Sequence, residues 1–380
     1  MSTPTPTCDV PFLDLTAQHA PLLAELEAAA RRVLLSNQFI LGPEVAAFER
    51  ELADAHGVAH AVAVSSGSDA LLALLMAHGV GPGDEVVTTP FSFFASVEAI
   101  VRLGARPVFA DVEADTLNLD PEDAAGRVGP RTKAILVVHL FGRAARTAAL
   151  EAQAGKHGAV LLEDAAQALG ARQGAAAGGS RPVGGLGRAG ALSFFPSKNV
   201  GGFGDGGAIV TDERIVAERV ALLRTHGSSE RFRHVAIGGN FRMDELQAAL
   251  LRVKLPHLSA WTARRRHIAD RYQDRLAPCP VELPPADPGC VWNQYVIRVP
   301  EGRRDPLAAH LRAAGVATCI YYPLPLHLQP ALAAFGGRPG EFPRAEKAAA
   351  EALALPIYPE LSDDKVDHVC AAVSAFFNSR

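Results

Sequence analysis

The sequence predicts an α/β protein with a mostly parallel sheet in a large domain and a smaller α+β domain at the C-terminus. The chain has 380 residues, more than one ordinary hydrophobic core supports. From residue 61 to about residue 165, short runs rich in β-branched residues alternate with helical stretches. Such alternation is typical of right-handed βαβ units, which build a parallel sheet.

Two helices are predicted ahead of this sheet, because LLAELEAAARRVLL and EVAAFERELADAHG both space their apolar residues at helical intervals. The strands of the large domain are predicted at the runs HAVAVSS, DEVVTTP, ARPVFADV, TKAILVVHL, GAVLLEDAA, GALSFF and GGAIVT. Ligands of such sheets bind at the carboxyl ends of the strands. The loops SSGSD, TTPFSFF and EDAAQ follow three of these ends, so we expect the site there.

A domain boundary is predicted near residue 255. Residues 1–255 are expected to form the N-terminal arm and the large domain, and residues 256–380 a linking helix and the small domain. In the small domain we predict strands at VWNQYVIRVP and VATCIYY, and helices at RDPLAAHLRAAG and at the C-terminus. The glycine-rich stretch at residues 174–190 is predicted to be a loop rather than a linker between domains.

Composition and charge argue against several classes of function. No apolar run approaches the roughly 20 residues that span a bilayer, so no membrane partner is expected. The start, MSTPTPTCDVPFLDL, has no basic segment followed by an apolar one, and we expect a soluble cytoplasmic protein. A net charge of -4 without a long basic block argues against nucleic-acid binding. The five cysteines, Cys8 among them, form no C-x-x-C pair, so reduced thiols and no metal are expected.

A turn that suits a phosphate group follows the first predicted strand. Gly67 and Ser68 open a helix there, and free N–H groups at a helix N-terminus attract anions. The same residues also form an ordinary helix N-cap, so the turn alone leaves both interpretations open. It matches neither G-x-G-x-x-G nor a Walker loop, so neither a dinucleotide nor ATP is indicated.

A second feature is the pair of carboxylates, Glu163 and Asp164, that ends the run VLLED. A carboxylate at a strand end is suited to keep a pyridine nitrogen protonated, and this proton makes pyridoxal phosphate (PLP) an electron sink. The alternative is that Asp164 only caps the next turn. Gln167 follows one helical turn later, where its amide is placed to reach the phenolic oxygen of the same ligand.

The third feature is Lys198, which lies in the glycine-rich turn SFFPSKNVGGFGDGG between two predicted strands. A lysine that forms a Schiff base needs a neutral amine, and burial in such a turn lowers its pKa. The glycines after it allow the backbone to approach a bound ring closely. A single lysine is most often a surface residue, but one cofactor, PLP, explains the lysine, the phosphate turn and the strand-end aspartate together.

Several stretches, in this order and spacing, resemble the DegT/DnrJ/EryC1/StrS family of PLP-dependent aminotransferases, which act on nucleotide-linked keto sugars. The resemblance covers nearly the whole chain and implies the PLP-dependent transferase fold of type I. It also implies a homodimer with shared active sites. The stretches are FILGPEVAAFE, SSGSDAL, GDEVVTTPFSFFAS, LLEDAAQALGA, SFFPSKNVGGFGDGGAI, GGNFRMDELQAA, YYPLPLHLQPAL and LALPIYPELSDD.

The resemblance assigns the cofactor-binding residues. Lys198 is similar to the lysine that binds the cofactor covalently and then moves the substrate proton, and Asp164 to the partner of the pyridinium nitrogen. Gln167 corresponds to the ligand of the phenolic oxygen. The phosphate ligands implied by the family are Gly67, Ser68 and Ser193. Phe93 corresponds to the aromatic residue stacked on the ring, and Asn240 to an asparagine that the neighbouring subunit contributes.

The resemblance also implies the substrate-binding residues, which are Arg242, Tyr322 and His327. A surface ion pair is the alternative role for Arg242. Arg231 and Arg233, in HGSSERFRH, are placed either to meet a phosphate or carboxylate of the substrate or to be ordinary surface charges.

The expected reaction converts a nucleotide-linked keto sugar to the amino sugar, with L-glutamate as amino donor. By resemblance we expect a 3-keto sugar. Lys198 favours transamination, because one branch of the family carries histidine there and dehydrates sugars. Ser68, Ser92 and Asp205 replace residues common in relatives, which leaves the subgroup open. A cyclitol aminotransferase, a sugar dehydratase and a non-enzymatic regulator are the alternatives.

Overall fold

The computed structural model describes residues 9–174 and 180–378, so Cys8 and the middle of the predicted glycine-rich loop lie outside it. The helices α1 to α13 are, in chain order, Leu15–His19, Leu23–Ser36, Pro43–His56, Gly67–Ala77, Ala95–Arg102, Pro121–Arg127, Thr147–Lys156, Arg214–Leu223, Glu245–Lys254, Leu258–Leu276, Arg304–Ala313, Pro343–Glu351 and Asp363–Asn378. The strands β1 to β13 are His60–Val64, Glu85–Thr88, Arg106–Phe109, Thr132–Val138, Val160–Asp164, Arg172–Gln173, Arg181–Pro182, Ala189–Ser193, Gly207–Thr211, Ser228–Glu230, Arg233–His234, Tyr295–Arg298 and Ala352–Leu355.

A seven-stranded sheet in the order β1-β9-β8-β5-β4-β2-β3 forms the centre of the described chain. Five neighbouring strands of this sheet are parallel, namely β8, β5, β4, β2 and β3. Strand β9 runs antiparallel to both of its neighbours, β1 and β8. All seven strands lie where the sequence predicted them, so the α/β class with a mostly parallel sheet is confirmed. Asp164 ends β5 opposite Val138 of β4 and Ala191 of β8, which places its carboxylate at the carboxyl edge of the sheet.

Helices cover both faces of this sheet. The sequence GSDALLALLMA makes α4 apolar on nearly every side, and the helix is buried against the sheet and α5. On the opposite face α3 and α9 pack against β1, β8 and β9. Parallel strands buried on both faces need such continuous apolar sequence, and Ala134 to Val138 of β4 are all buried.

A second hydrophobic core lies between α10, α11, α13 and the antiparallel pair β12 and β13. The predicted strand at VATCIYY is wrong: Val316 bridges Val10, whereas Cys319 bridges Ala354. Because the backbone hydrogen bonds of this stretch are divided between two partners, no continuous ladder forms. The strand that pairs with β12 is instead β13, for which the sequence analysis gave no prediction. The boundary near residue 255 stays a prediction.

No helix among residues 9–174 and 180–378 is long and apolar enough to cross a bilayer. The same residues contain no group of three or more His, Cys, Asp or Glu side chains that is arranged to hold a metal ion. The four described cysteines have free thiols.

Candidate active site

Lys198 lies in the turn between β8 and β9, at the carboxyl edge of the sheet. The turn is closed locally, because the Lys198 N–H donates to the Phe195 carbonyl at 2.8 Å. Burial lowers the pKa of the amine to about 8, and the nearby Asp164 carboxylate acts in the opposite direction. The structure therefore brings together the two residues that the sequence predicted as catalytic. An amine of this pKa is partly neutral near pH 7, as a nucleophile must be.

Asp164 is buried, and serine and backbone groups hold its carboxylate. The Ser96 hydroxyl donates to Oδ2 at 2.7 Å, and the Ala166 N–H donates to Oδ1 at 3.1 Å. Ser92 lies one turn before Ser96, with 3.1 Å between the two hydroxyl oxygens. Asp164 thus caps the next turn with one oxygen while the other accepts from Ser96. Ser96 was not predicted from the sequence, where its only signal is the four-residue spacing from Ser92 at the start of a helix.

The neighbouring carboxylate, Glu163, has a different environment from that of Asp164. It accepts hydrogen bonds from His139 Nε2 at 2.8 Å and from the N–H groups of Gly184, Leu186 and Gly187 at 2.6 to 2.8 Å. Burial by itself raises the pKa of Glu163, but these hydrogen bonds outweigh it and the pKa is lowered. Glu163 therefore fixes the end of β5 to the loop before β8 and is not aimed at the same ligand as Asp164.

Gln167, Tyr322 and Phe93 are brought together at one side of the site. The Gln167 amide accepts from the Phe141 N–H at 2.6 Å and donates to the Tyr322 hydroxyl at 3.0 Å. Burial raises the pKa of Tyr322, although the hydrogen bond from Gln167 offsets part of this. The Phe93 ring lies 6.4 Å from that of Tyr322 and is 60% exposed. Phe93 is thus a surface aromatic rather than a core residue, as a stacking role requires.

The predicted phosphate turn packs directly on β8. Ser66 caps α4, since its hydroxyl accepts from the Asp69 N–H at 3.0 Å, and Gly67 begins the helix. A side chain at Gly67 would place its Cβ 2.7 Å from the Ser193 Cβ. Gly67 and Ser68 are therefore the first two residues of a helix whose N-terminus lies against Ser193, and the first N–H groups there have no partner within the helix.

Asn240 and Arg242 lie at the surface of the chain. The Arg242 Nε donates to the Asn240 Oδ1 at 2.8 Å, and the intervening Phe241 carbonyl accepts from the Ser65 N–H at 2.9 Å. This segment therefore lies beside the phosphate turn of its own chain, with the Asn240 side chain exposed. Its contribution to the site of a neighbouring subunit, and the contact of Arg242 with substrate, stay predictions.

His327 is buried, unlike the other predicted substrate-binding residues. Its Nε2 lies 3.3 Å from Glu346 Oε1, and its ring packs edge-on against Phe342 with 4.8 Å between the ring centres. In the single chain this ring has a packing role. Contact of His327 with the substrate stays a prediction that this burial does not favour.

With this geometry established, comparison with known proteins decides the family. The sequence profile of the DegT/DnrJ/EryC1/StrS aminotransferase family matches residues 22–374. The chain belongs to the DegT/DnrJ/EryC1/StrS aminotransferase family. The resemblance inferred from the sequence is therefore confirmed, together with the type I fold.

Close relatives carry both regulatory and enzymatic names. The chain is 44% identical over 374 residues to the pleiotropic regulatory protein of Geobacillus stearothermophilus, covering 97% of this chain and 99% of the relative. It is 43% identical over 378 residues to the dTDP-3-amino-3,4,6-trideoxy-alpha-D-glucose transaminase of Streptomyces venezuelae, covering 98% and 97%. The crystal structure of S. venezuelae DesV in complex with a ketimine intermediate superimposes with a TM-score of 0.93 at 43% identity, covering 98% of this chain and 99% of that chain.

The protein is accordingly a PLP-dependent aminotransferase, as the sequence predicted. The residues present fit the cofactor. The helix N-terminus at Gly67, which packs on Ser193, suits a phosphate, a buried carboxylate at Asp164 suits a protonated ring nitrogen, and Lys198 supplies an amine of lowered pKa.

Proposed function

We propose that this aminotransferase converts a ketone of a nucleoside-diphosphate-linked sugar to the amine, with L-glutamate as amino donor and with a 3-keto sugar as substrate. The observation that carries the reaction type is the Lys198 amine of lowered pKa beside the buried Asp164 carboxylate. The sugar substrate is supported by the name of the S. venezuelae relative, a transaminase of a dTDP-linked sugar with its amino group at carbon 3.

Bound PLP supplies an electron sink that stabilises negative charge at the carbon losing a proton. Asp164 would hold the proton at the ring nitrogen, and the hydrogen bond from Ser96 fixes the direction of its carboxylate. Gly67, Ser68 and Ser193 would hold the phosphate, Phe93 would cover one face of the ring, and Gln167 would bind the phenolic oxygen. The Lys198 amine would hold the cofactor, and its position at the carboxyl edge of the sheet would suit it to carry the proton to and from the substrate carbon.

We also propose that the enzyme works as a homodimer with shared sites. Large apolar side chains are exposed in the single chain, two of them in the turn that carries Lys198, which supports a second copy as their cover. They include Phe39, Ile40, Phe195, Phe203, Phe232 and Ile237. Asn240 is also exposed, and its Oδ1 accepts from the Arg242 Nε.

The decisive experiment incubates the purified enzyme with PLP, L-glutamate and a panel of nucleotide-linked 3-keto and 4-keto sugars together with a free keto cyclitol. The product is then identified by mass and by NMR. Amination at carbon 3 with consumption of glutamate is the expected result. Loss of water instead of a keto-to-amino exchange would mean a dehydratase, and amination of a free cyclitol alone would mean a cyclitol aminotransferase.

Borohydride reduction and peptide mapping test the residue roles in the same protein. The label should lie on Lys198, and Lys198→Ala should abolish turnover. Asp164→Asn should bind the cofactor yet react far more slowly, because a neutral amide does not stabilise the ring proton. A label on another lysine, or full activity of the Lys198 variant at saturating PLP, would contradict the assignment.

A further inference from the structure

The last residue of α9, Lys254, is a buried lysine outside the group of predicted site residues. Its side chain is 0% exposed, and within the described part of the chain no carboxylate lies within ion-pairing distance. Its Nζ instead donates to the Gly201 carbonyl at 2.5 Å and lies 3.1 Å from His19 Nε2. The rings of Phe203 and Trp261 surround it, with centres 5.5 Å and 5.8 Å from Nζ.

The partner of this lysine belongs to the active-site turn. Gly201 follows Lys198 by three residues, and the next N–H, of Gly202, donates to the Phe194 carbonyl at 2.7 Å. One face of α9 holds the remainder of the turn: the Gln247 amide accepts from the Phe203 N–H at 2.8 Å and donates to the Asp205 carbonyl at 3.1 Å. Without Lys254, the Gly201 carbonyl loses the hydrogen bond that it accepts from the ammonium.

A buried ammonium with no carboxylate in direct contact is costly, and an apolar side chain of similar volume would pack there at lower cost. The contact therefore has a use other than stability. We propose that Lys254 is a positioning residue of the active site: its ammonium holds the Gly201 carbonyl and so fixes the turn that carries Lys198. The inference rests on the proposed role of Lys198.

The surroundings of Lys254 connect the N-terminal arm to this turn. His19 of α1 is the acceptor for the ammonium, so its Nε2 carries no proton. Burial lowers the pKa of His19, and Lys254 lowers it further, which keeps the ring neutral. Burial also lowers the pKa of Lys254 to about 8, against the opposing effect of Glu360 before α13. Arg265 of α10 is the other cation near Glu360.

The test replaces the charge with a side chain of similar length, Lys254→Met, in the full-length enzyme with and without added PLP. Hydrogen exchange of the amides from residue 202 to residue 206 should become about tenfold faster, because these amides lose their fixed geometry. In the loaded enzyme kcat should fall about tenfold while KM for the sugar changes little, because Lys198 is displaced without loss of the substrate contacts. Lys254→Arg keeps the positive charge and the hydrogen-bond donors, so it should retain much of the amide protection and much of kcat.

Ile297→Val in β12 is the matched control, because it weakens the distant core around α10 and α13 without touching the turn. It should change neither exchange at residues 202–206 nor kcat. Unchanged exchange in Lys254→Met, equal changes in the control, or faster exchange with normal kcat would each overturn the proposal. Should the Met variant not fold, Lys254→Gln provides the same readouts. Exchange without PLP does not depend on catalysis, so failure of the proposed sugar reaction leaves that measurement interpretable.

Discussion

Covalent uptake of PLP requires a neutral amine at Lys198, so the rate of uptake should follow the fraction of that amine without its proton. Burial lowers the pKa of Lys198 to about 8. At pH 7, a group with this pKa is neutral in about one molecule in eleven, against about one in 2500 for an ordinary lysine. The rate at pH 7 should therefore exceed that of an unburied lysine roughly 200-fold, all else being equal.

The assay mixes cofactor-free enzyme with PLP and follows the absorbance change from pH 6 to pH 10. The rate should rise about tenfold per pH unit below the pKa and level off above about pH 8, where the amine is already neutral. Because the Asp164 carboxylate raises the Lys198 pKa, Asp164→Asn should lower the pH at which the rate levels off. Asp205→Asn, which removes an exposed carboxylate of the same turn, is the control and should leave that pH unchanged. A rate that still climbs tenfold per pH unit above pH 9 would show that the Lys198 amine keeps the pKa of an ordinary lysine.

Three further substitutions test the frame around the cofactor. Glu163→Gln should lower the free energy of unfolding by about 2 to 4 kcal/mol, since an amide cannot accept every hydrogen bond that the buried carboxylate accepts, and urea denaturation measures this. Gly67→Ala should weaken PLP binding by about tenfold or more in a fluorescence titration, because its Cβ would lie 2.7 Å from that of Ser193; unchanged affinity would place the phosphate elsewhere. Ser96→Ala should lower kcat about fivefold with KM unchanged, as Asp164 loses one hydrogen bond of about 1 kcal/mol, and steady-state kinetics with normal values would show that Ser96 only packs.

The sequence alone was sufficient for the strands of the main sheet and for the residues at their carboxyl ends. Strand patterns are local, and the topology of a parallel sheet brings the ends of its strands to one edge whatever the packing details. Gly67, Asp164 and Lys198 could therefore be predicted together. The structure places the Gly67 turn on Ser193, and burial lowers the Lys198 pKa as a Schiff-base lysine requires, whereas the phosphate contacts stay predictions.

The side chains that support Gly67, Asp164 and Lys198 could be identified only from the tertiary structure. Ser96 reaches Asp164 across 68 positions of the chain, and Lys254 reaches Gly201 across 53. Such contacts depend on how helices pack on the sheet. Because this packing joins residues far apart in the chain, it produces no regular spacing in the sequence. The burial of His327 and the replacement of the predicted strand at VATCIYY by β13 have the same origin. Local pattern thus determines where chemistry-bearing residues lie in the fold, whereas long-range packing determines the charge, direction and rigidity with which they act.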